Sequence, residues 1–183
     1  ITACVRLGVD VLSAYAFSTE NWSRPKAEVN LLMHLFAKTF IEELPLLHRE
    51  NVKVLFLGDI SSLPEETRRV FEYGLAETRD HTGMVLALAV NYGGRAEIAR
   101  AARLLANKVA AGELSADDID EASIAGELYT AGLPDPELVI RTSGELRISN
   151  YLLWQVAYSE FYITDTYWPD FDRWGLVEAI LAF

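Results

Sequence analysis

The 183-residue chain has one cysteine, Cys4, so no disulfide can form within it and no cysteine-rich metal framework exists. Its three histidines, His34, His48 and His81, are scattered, and none has zinc-type spacing to another ligand. No apolar run reaches the roughly 18 residues a membrane span needs. Positive charge is scarce. Sixteen Lys and Arg face 27 Asp and Glu, a formal net charge of −11. That balance excludes generic nucleic-acid binding, which relies on a basic face. Neither a G-x-G-x-x-G fingerprint nor a Walker Gly-Lys-Ser is present, which argues against a dinucleotide-binding oxidoreductase and against a P-loop enzyme. No repeat, linker or low-complexity run interrupts the chain.

What remains is 51% hydrophobic and 23% charged, enough to bury a sizeable core. Apolar runs at Val9–Phe17, Val52–Leu57, Met84–Val90, Leu138–Ile140 and Phe161–Trp168 read as strands. Between them lie segments with helical spacing. The longest carries Val29, Leu32, Leu35, Phe36, Phe40, Ile41 and Leu44 on one face, and Pro45 should kink or interrupt it. Pro64 opens a second helix, a third follows Gly93-Gly94, Ser115 and Ser123 start two short ones, and Asp172–Phe183 is the last. Residues 1–7 read as the tail of a helix that Gly8 ends. The alternation predicts an α/β fold: one domain over residues 1–183, with a mainly parallel central sheet flanked by helices.

The stretch 137–160 carries the clearest chemistry. Its strand ends at Arg141, a polar turn holds Ser143, Gly144, Glu145, Arg147 and Ser149, and a helix should start near Ser149 or Asn150. Open parallel sheets bind ligands at that edge, where helix N-termini and arginines favour anions. Arg141, Arg147 and Ser149 therefore predict a phosphate or diphosphate site. A second strand-end loop holds Ser18, Asn21, Trp22 and Arg24, with Glu28 just beyond, and in a single parallel sheet it would open on the same edge. Taken singly, Trp22 reads as a packed aromatic, Glu28 as a first-turn helix carboxylate, and Ser18 as a turn cap. The Gly93-Gly94 turn reads as structural.

Four ordered stretches give a resemblance that covers nearly the whole chain: Phe17-Ser18-Thr19-Glu20-Asn21-Trp22-Ser23-Arg24-Pro25 with Glu28; Asn91-Tyr92-Gly93-Gly94-Arg95; Arg141-Thr142-Ser143-Gly144-Glu145 through Glu160; and Trp168-Pro169-Asp170-Phe171. Together they resemble the cis-prenyltransferases, the undecaprenyl diphosphate synthase family. The resemblance implies condensation of isopentenyl diphosphate with an allylic prenyl diphosphate, with Mg²⁺ as cofactor. The product would be a Z-polyprenyl diphosphate, short or long, a lipid carrier for cell-wall synthesis in the long case. It places Arg141, Arg147 and Ser149 on isopentenyl diphosphate. Ser18, Asn21 and Trp22 would lie at the reacting end, with Asn21 orienting or deprotonating. Arg24 and Glu28 belong to the substrate site, and Glu160 is the acidic residue near the metal. It also implies a homodimer in the cytoplasm, touching the membrane only peripherally through its lipid product.

Product-tunnel candidates are Ala16, Val29, Met33, Phe36, Phe40, Met84, Leu86 and Leu88, each of which reads equally well as ordinary core. The family's Asp-Gly-Asn-Arg-Trp loop, with its metal-binding aspartate, has no counterpart here. The domain is therefore expected to be truncated at its N-terminus, without the first strand, loop and start of the helix, and inactive alone. The alternative from a binding class is a non-catalytic subunit of a prenyltransferase complex. Such relatives tend to lose the strand-end motifs, and here those motifs stand.

Overall fold

Three parallel strands organise the first part of the computed structural model, which describes residues 1–183. They are β1 (Val11–Ser18), β2 (Lys53–Leu57) and β3 (Val85–Tyr92), in the order β1-β3-β2. The central strand, β3, is the most apolar, as a strand covered on both faces should be. Leu86, Ala87, Ala89, Val90 and Tyr92 are all buried.

The helices are α1 (Thr2–Leu7), α2 (Lys26–Arg49), α3 (Glu65–Thr78), α4 (Gly94–Ala110) and α5 (Glu121–Glu127). Gly8 ends α1 in the left-handed conformation, as its position predicted. On α2, Val29, Met33, Ala37, Phe40, Leu44 and Leu47 are buried at spacings of three and four, the stripe of a core-facing helix. Phe40 packs against the stacked pair of Phe56 of β2 and Phe71 of α3, at centroid distances of 5.6 Å to each. Truncating such a ring to alanine costs about 3–5 kcal/mol. A Cβ on Gly74 of α3 would come within 2.0 Å of the Phe40 ring, so the missing side chain is what lets α2 and α3 approach.

The last part of the chain, Gly132–Phe183, is a second compact unit, following Ile1–Ala131. It contains β4 (Leu138–Arg141) and β5 (Glu160–Ile163), paired in parallel from Leu138↔Glu160 to Arg141↔Ile163. Its helix is α6 (Arg173–Ala182), capped by Asp172, whose carboxylate accepts from the Trp174 and Gly175 amides. The α/β class and the parallel pairing thus hold, with the strands falling into a three-stranded and a two-stranded sheet.

Three local expectations are corrected. Pro45 does not break α2, which runs unbroken through it. Proline there forfeits one backbone bond, and the buried Leu44 and Leu47 on either side keep that turn packed. The second short helix starts at Asp120, whose carboxylate accepts from the Ser123 amide, so Ser123 lies inside it. The helix expected from Ser149 does not form. Ser149, Asn150 and Leu152 all have positive φ, which a right-handed helix excludes, and only a short 3-10 turn follows at Gln155–Tyr158. Leu152 and Val156 are buried, but by a folded loop whose spacing imitates a helix.

Candidate active site

In the first unit the carboxyl ends of β1, β2 and β3 share one edge, because the strands are parallel. The loop after β1 is a 3-10 turn, Thr19–Ser23. Asn21 closes it, its Oδ1 accepting from the Ser18 amide at 2.9 Å. With its oxygen engaged, Asn21 offers its amide N–H₂ to a ligand. That donor can orient a substrate but cannot remove a proton. Trp22 is 39% exposed and stands edge-on to Phe17 at 5.3 Å. Its indole N–H donates to Asn91 Oδ1 at 2.7 Å. Arg24 donates to Glu28 Oε1 at 2.6 Å, in the first turn of α2, so Glu28 orients the guanidinium as well as meeting the helix dipole. All five residues proposed from this stretch therefore belong to one loop and the helix turn that follows it.

Sequence reasoning undervalued Asn91. The Asn-Tyr-Gly-Gly-Arg stretch drew attention to its glycines, but Gly93 is extended and simply caps α4. The special residue is Asn91, at φ 50°. Besides accepting from Trp22, its Nδ2 donates to Asp59 O and to Ser62 Oγ, both at 2.8 Å. The available signal was a non-glycine residue well suited to the left-handed region at a strand end.

In the second unit Arg141 is the last residue of β4. Its Nη2 lies 3.4 Å from Ser149 Oγ, a long hydrogen bond, and its Nε is buried without a hydrogen-bond partner. A buried guanidinium donor without an acceptor is costly, so this Nε carries an unmet hydrogen-bonding demand. Ser143, Ser149 and Asn150 hold left-handed backbone between the two strands. The Ser143 and Gly144 amides are already spent on Thr166 O and Thr164 O, each at 2.9 Å. The expected helix dipole is absent too, which leaves side chains as the donors this loop can offer. Arg147 is more exposed, with 71% side-chain accessibility, and its Nε is paired with Glu145 Oε2 at 2.9 Å.

The whole chain, residues 1–183, matches the sequence profile of the family described as "Putative undecaprenyl diphosphate synthase". It is 52% identical over 179 residues to an isoprenyl transferase of Streptococcus thermophilus, covering 96% of this chain and 72% of that one. It is 48% identical to the isoprenyl transferase of Clostridium perfringens, over 100% of this chain and 72% of that one. The chain belongs to the undecaprenyl diphosphate synthase family of cis-prenyltransferases. Among solved structures it superposes with a TM-score of 0.96 on lavandulyl diphosphate synthase from Lavandula x intermedia, at 37% identity, covering 99% of this chain and 78% of that one. That protein was solved in complex with dimethylallyl diphosphate.

A cavity of about 190 Å³ lies between α2, β1 and β3. Of the tunnel candidates, Ala16, Phe36, Phe40, Leu86 and Leu88 line it, whereas Val29, Met33 and Met84 are buried elsewhere in the core. Thr39 and Glu43 add the polar part of the lining. No helix of the chain is long and apolar enough to cross a membrane.

No group of three or more His, Cys, Asp or Glu side chains assembles a metal cage in this chain. Glu160 opens β5 and is exposed, opposite Leu138 rather than Arg141. Three residues of strand, about 10 Å, separate it from the Arg141 end of the ladder. A lone exposed carboxylate fits Mg²⁺ only as one ligand among substrate phosphate oxygens and water, which is a usual arrangement for that ion.

One aromatic near the β1 loop has an observable titration. Burial pushes the Tyr15 phenol up to about 12, against a smaller lowering by its hydrogen bond with Ser18. The folded state therefore holds this proton more tightly than the unfolded chain, whose phenol titrates near 10. The resulting stability is complete below pH 10 and lost as pH rises toward about 12. Tyr15→Phe should flatten that part of the alkaline unfolding curve. If urea midpoints of variant and parent fall in parallel from pH 10 to 12, Tyr15 titrates like a free phenol.

Proposed function

We propose that this protein elongates an allylic diphosphate with isopentenyl diphosphate to give a Z-polyprenyl diphosphate. The observation that carries the reading is Arg141, whose buried Nε has no partner while its Nη2 reaches toward Ser149 at the end of β4. Planar guanidinium donors beside a hydroxyl suit a diphosphate, and Arg147 adds charge from the same loop. These residues bind isopentenyl diphosphate. Asn21, through its free amide N–H₂, orients the reacting end, with Ser18 and Trp22 shaping that loop. Arg24, held by Glu28, supplies further diphosphate donors.

In the reaction, the allylic C–O bond breaks and diphosphate leaves. The isopentenyl double bond forms the new C–C bond, and a proton is lost from the adjacent carbon as the Z double bond closes. Mg²⁺, when bound, would neutralise the departing diphosphate, and Glu160 is the carboxylate proposed to hold it. The apolar cavity under α2 supports a growing isoprenoid tail kept away from water, and a long product would serve as a cell-wall lipid carrier. The exposed aromatics Tyr158, Tyr167, Trp168 and Trp174 of the second unit support a homodimer, and the lipid product would bring it into peripheral membrane contact.

The test is incorporation of labelled isopentenyl diphosphate by the whole protein with Mg²⁺ and a C10 or C15 allylic diphosphate, followed by product sizing and double-bond analysis. New Z bonds support the reading. Absence of turnover in a folded protein that still binds the diphosphates would move it to the non-catalytic subunit class. In the same assay Asn21→Ala should lower kcat about 100-fold, the usual loss for one donor aimed at a developing charge. Its KM for isopentenyl diphosphate should stay within about threefold, because orientation rather than binding is removed. A raised KM at unchanged kcat would remove Asn21 from the reacting end.

A further inference from the structure

We infer that Asn91 is a positioning residue, holding the Trp22 indole and with it the Asn21 loop in the arrangement the transferase needs. The inference rests on the prenyl-transfer reading above. Its geometry begins in the β1–β3 ladder. Tyr15 pairs with Ala89, Phe17 with Val90, and Ser18 with Tyr92. The ladder thus skips Ala16 on one strand and then Asn91 on the other, so the two irregularities cancel. Freed from pairing and turned to φ 50°, Asn91 reaches across the strand ends.

Each of its side-chain bonds fixes the amide's orientation. The indole N–H of Trp22 can only donate, so the group facing it at 2.7 Å is Oδ1. Asp59 O can only accept, so the group facing it at 2.8 Å is Nδ2. The second Nδ2 hydrogen goes to Ser62 Oγ at 2.8 Å. One amide therefore ties the loop after β1 to the loop after β2 from the end of β3. Asp59 is held in turn by its own turn, its carboxylate accepting from the Ser61 amide at 3.1 Å and from the Ser61 hydroxyl at 2.5 Å. The Ser61 hydroxyl also keeps the Asp59 carboxyl below its ordinary range, so it stays ionised.

Trp22 is 39% exposed and meets Phe17 in a T-shaped contact. Ring packing alone leaves the indole free to tilt, and the Asn91 bond removes that freedom. Asn21 is its immediate neighbour. A shift of about 1 Å at a reacting group can cost 100-fold in rate, so a tilted Trp22 is expected to be felt in catalysis.

The experiment uses Asn91→Gly, which tolerates the left-handed backbone and removes the amide, and Trp22→Phe, which keeps a smaller ring against Phe17 and removes the N–H. Each should lower kcat about tenfold to 100-fold, with KM for isopentenyl diphosphate within about threefold. The double variant should be no worse than the poorer single one, since both cut the same link. The Trp22 indole N–H resonance, assigned by its loss in Trp22→Phe, should move upfield in Asn91→Gly. Multiplicative losses in the double variant, or an unmoved Trp22 resonance, would overturn the inference. A parent protein that incorporates no isopentenyl diphosphate would instead sink the transferase reading, while the resonance still decides whether Asn91 grips Trp22.

Discussion

Arg141→Ala should raise the KM for isopentenyl diphosphate about 100-fold, a loss of roughly 3 kcal/mol that corresponds to two charge-assisted hydrogen bonds. Nε is buried and unpartnered, and the Nη2 contact with Ser149 is a long 3.4 Å. Little is given up inside the protein when a diphosphate takes these donors, so most of their interaction energy appears as binding. Arg141→Lys should recover only part of the loss, because a single ammonium cannot present the planar fork. Arg147→Ala should cost about tenfold or less, since that side chain is already paired with Glu145 and is 71% exposed. Steady-state kinetics of the three variants check the order. Equal losses at Arg141 and Arg147 would mean that the buried donor has no special part in binding.

Gly58→Ala should be the most damaging small change to the fold. Gly58 sits at φ 117°, at the carboxyl end of β2, and an added Cβ would lie 2.2 Å from Val90 O and 2.8 Å from Asn91 O. Both obstacles are backbone in the central strand and cannot swing aside. Backbone strain and overlap together predict a loss of about 3 kcal/mol or more. For a chain of this size that is a fall in Tm of roughly 6–12 °C. Gly8→Ala is the control: φ is 75°, yet nothing lies within 4 Å of the added Cβ. It should cost only about 1 kcal/mol of left-handed strain. Thermal unfolding followed by circular dichroism compares the two, and equal losses would remove the steric argument. Because Gly58 presses on Asn91, the surviving Gly58→Ala protein should also show the displaced Trp22 resonance.

Much of this architecture was legible in the sequence because burial writes a period into it. The run Met84–Val90 reads as an inner strand, and the stripe from Val29 to Leu44 reads as a helix, but Leu35 and Ile41 of that stripe are exposed and Met33, Ala37 and Leu47 complete the buried face instead. The family motifs marked Ser18 through Glu28 and Arg141 through Glu160 without any coordinates. Legibility failed where side chains, rather than periodicity, set the backbone. Ser149, Asn150 and Leu152 adopt positive φ with no glycine among them, so nothing in their composition announced it, and the apolar spacing of Leu152 and Val156 suggested a helix. Asn91 gave only its residue type as a signal, because its partners Asp59, Ser62 and Trp22 lie 29 to 69 residues away along the chain. Pro45 misled for the opposite reason: a strong local rule was overridden by packing on both sides of it.

Side-chain arginine NMR tests directly whether Arg141 is a diphosphate donor held in reserve. In a ¹H–¹⁵N spectrum of the labelled protein, the Arg141 Nε–H resonance is identified by its loss in Arg141→Lys. Titration with isopentenyl diphosphate should move that resonance downfield and saturably, the signature of a new acceptor, with the Arg147 resonance moving less. Saturable binding of isopentenyl diphosphate that leaves the Arg141 Nε–H resonance where it stands in the free protein would contradict the account.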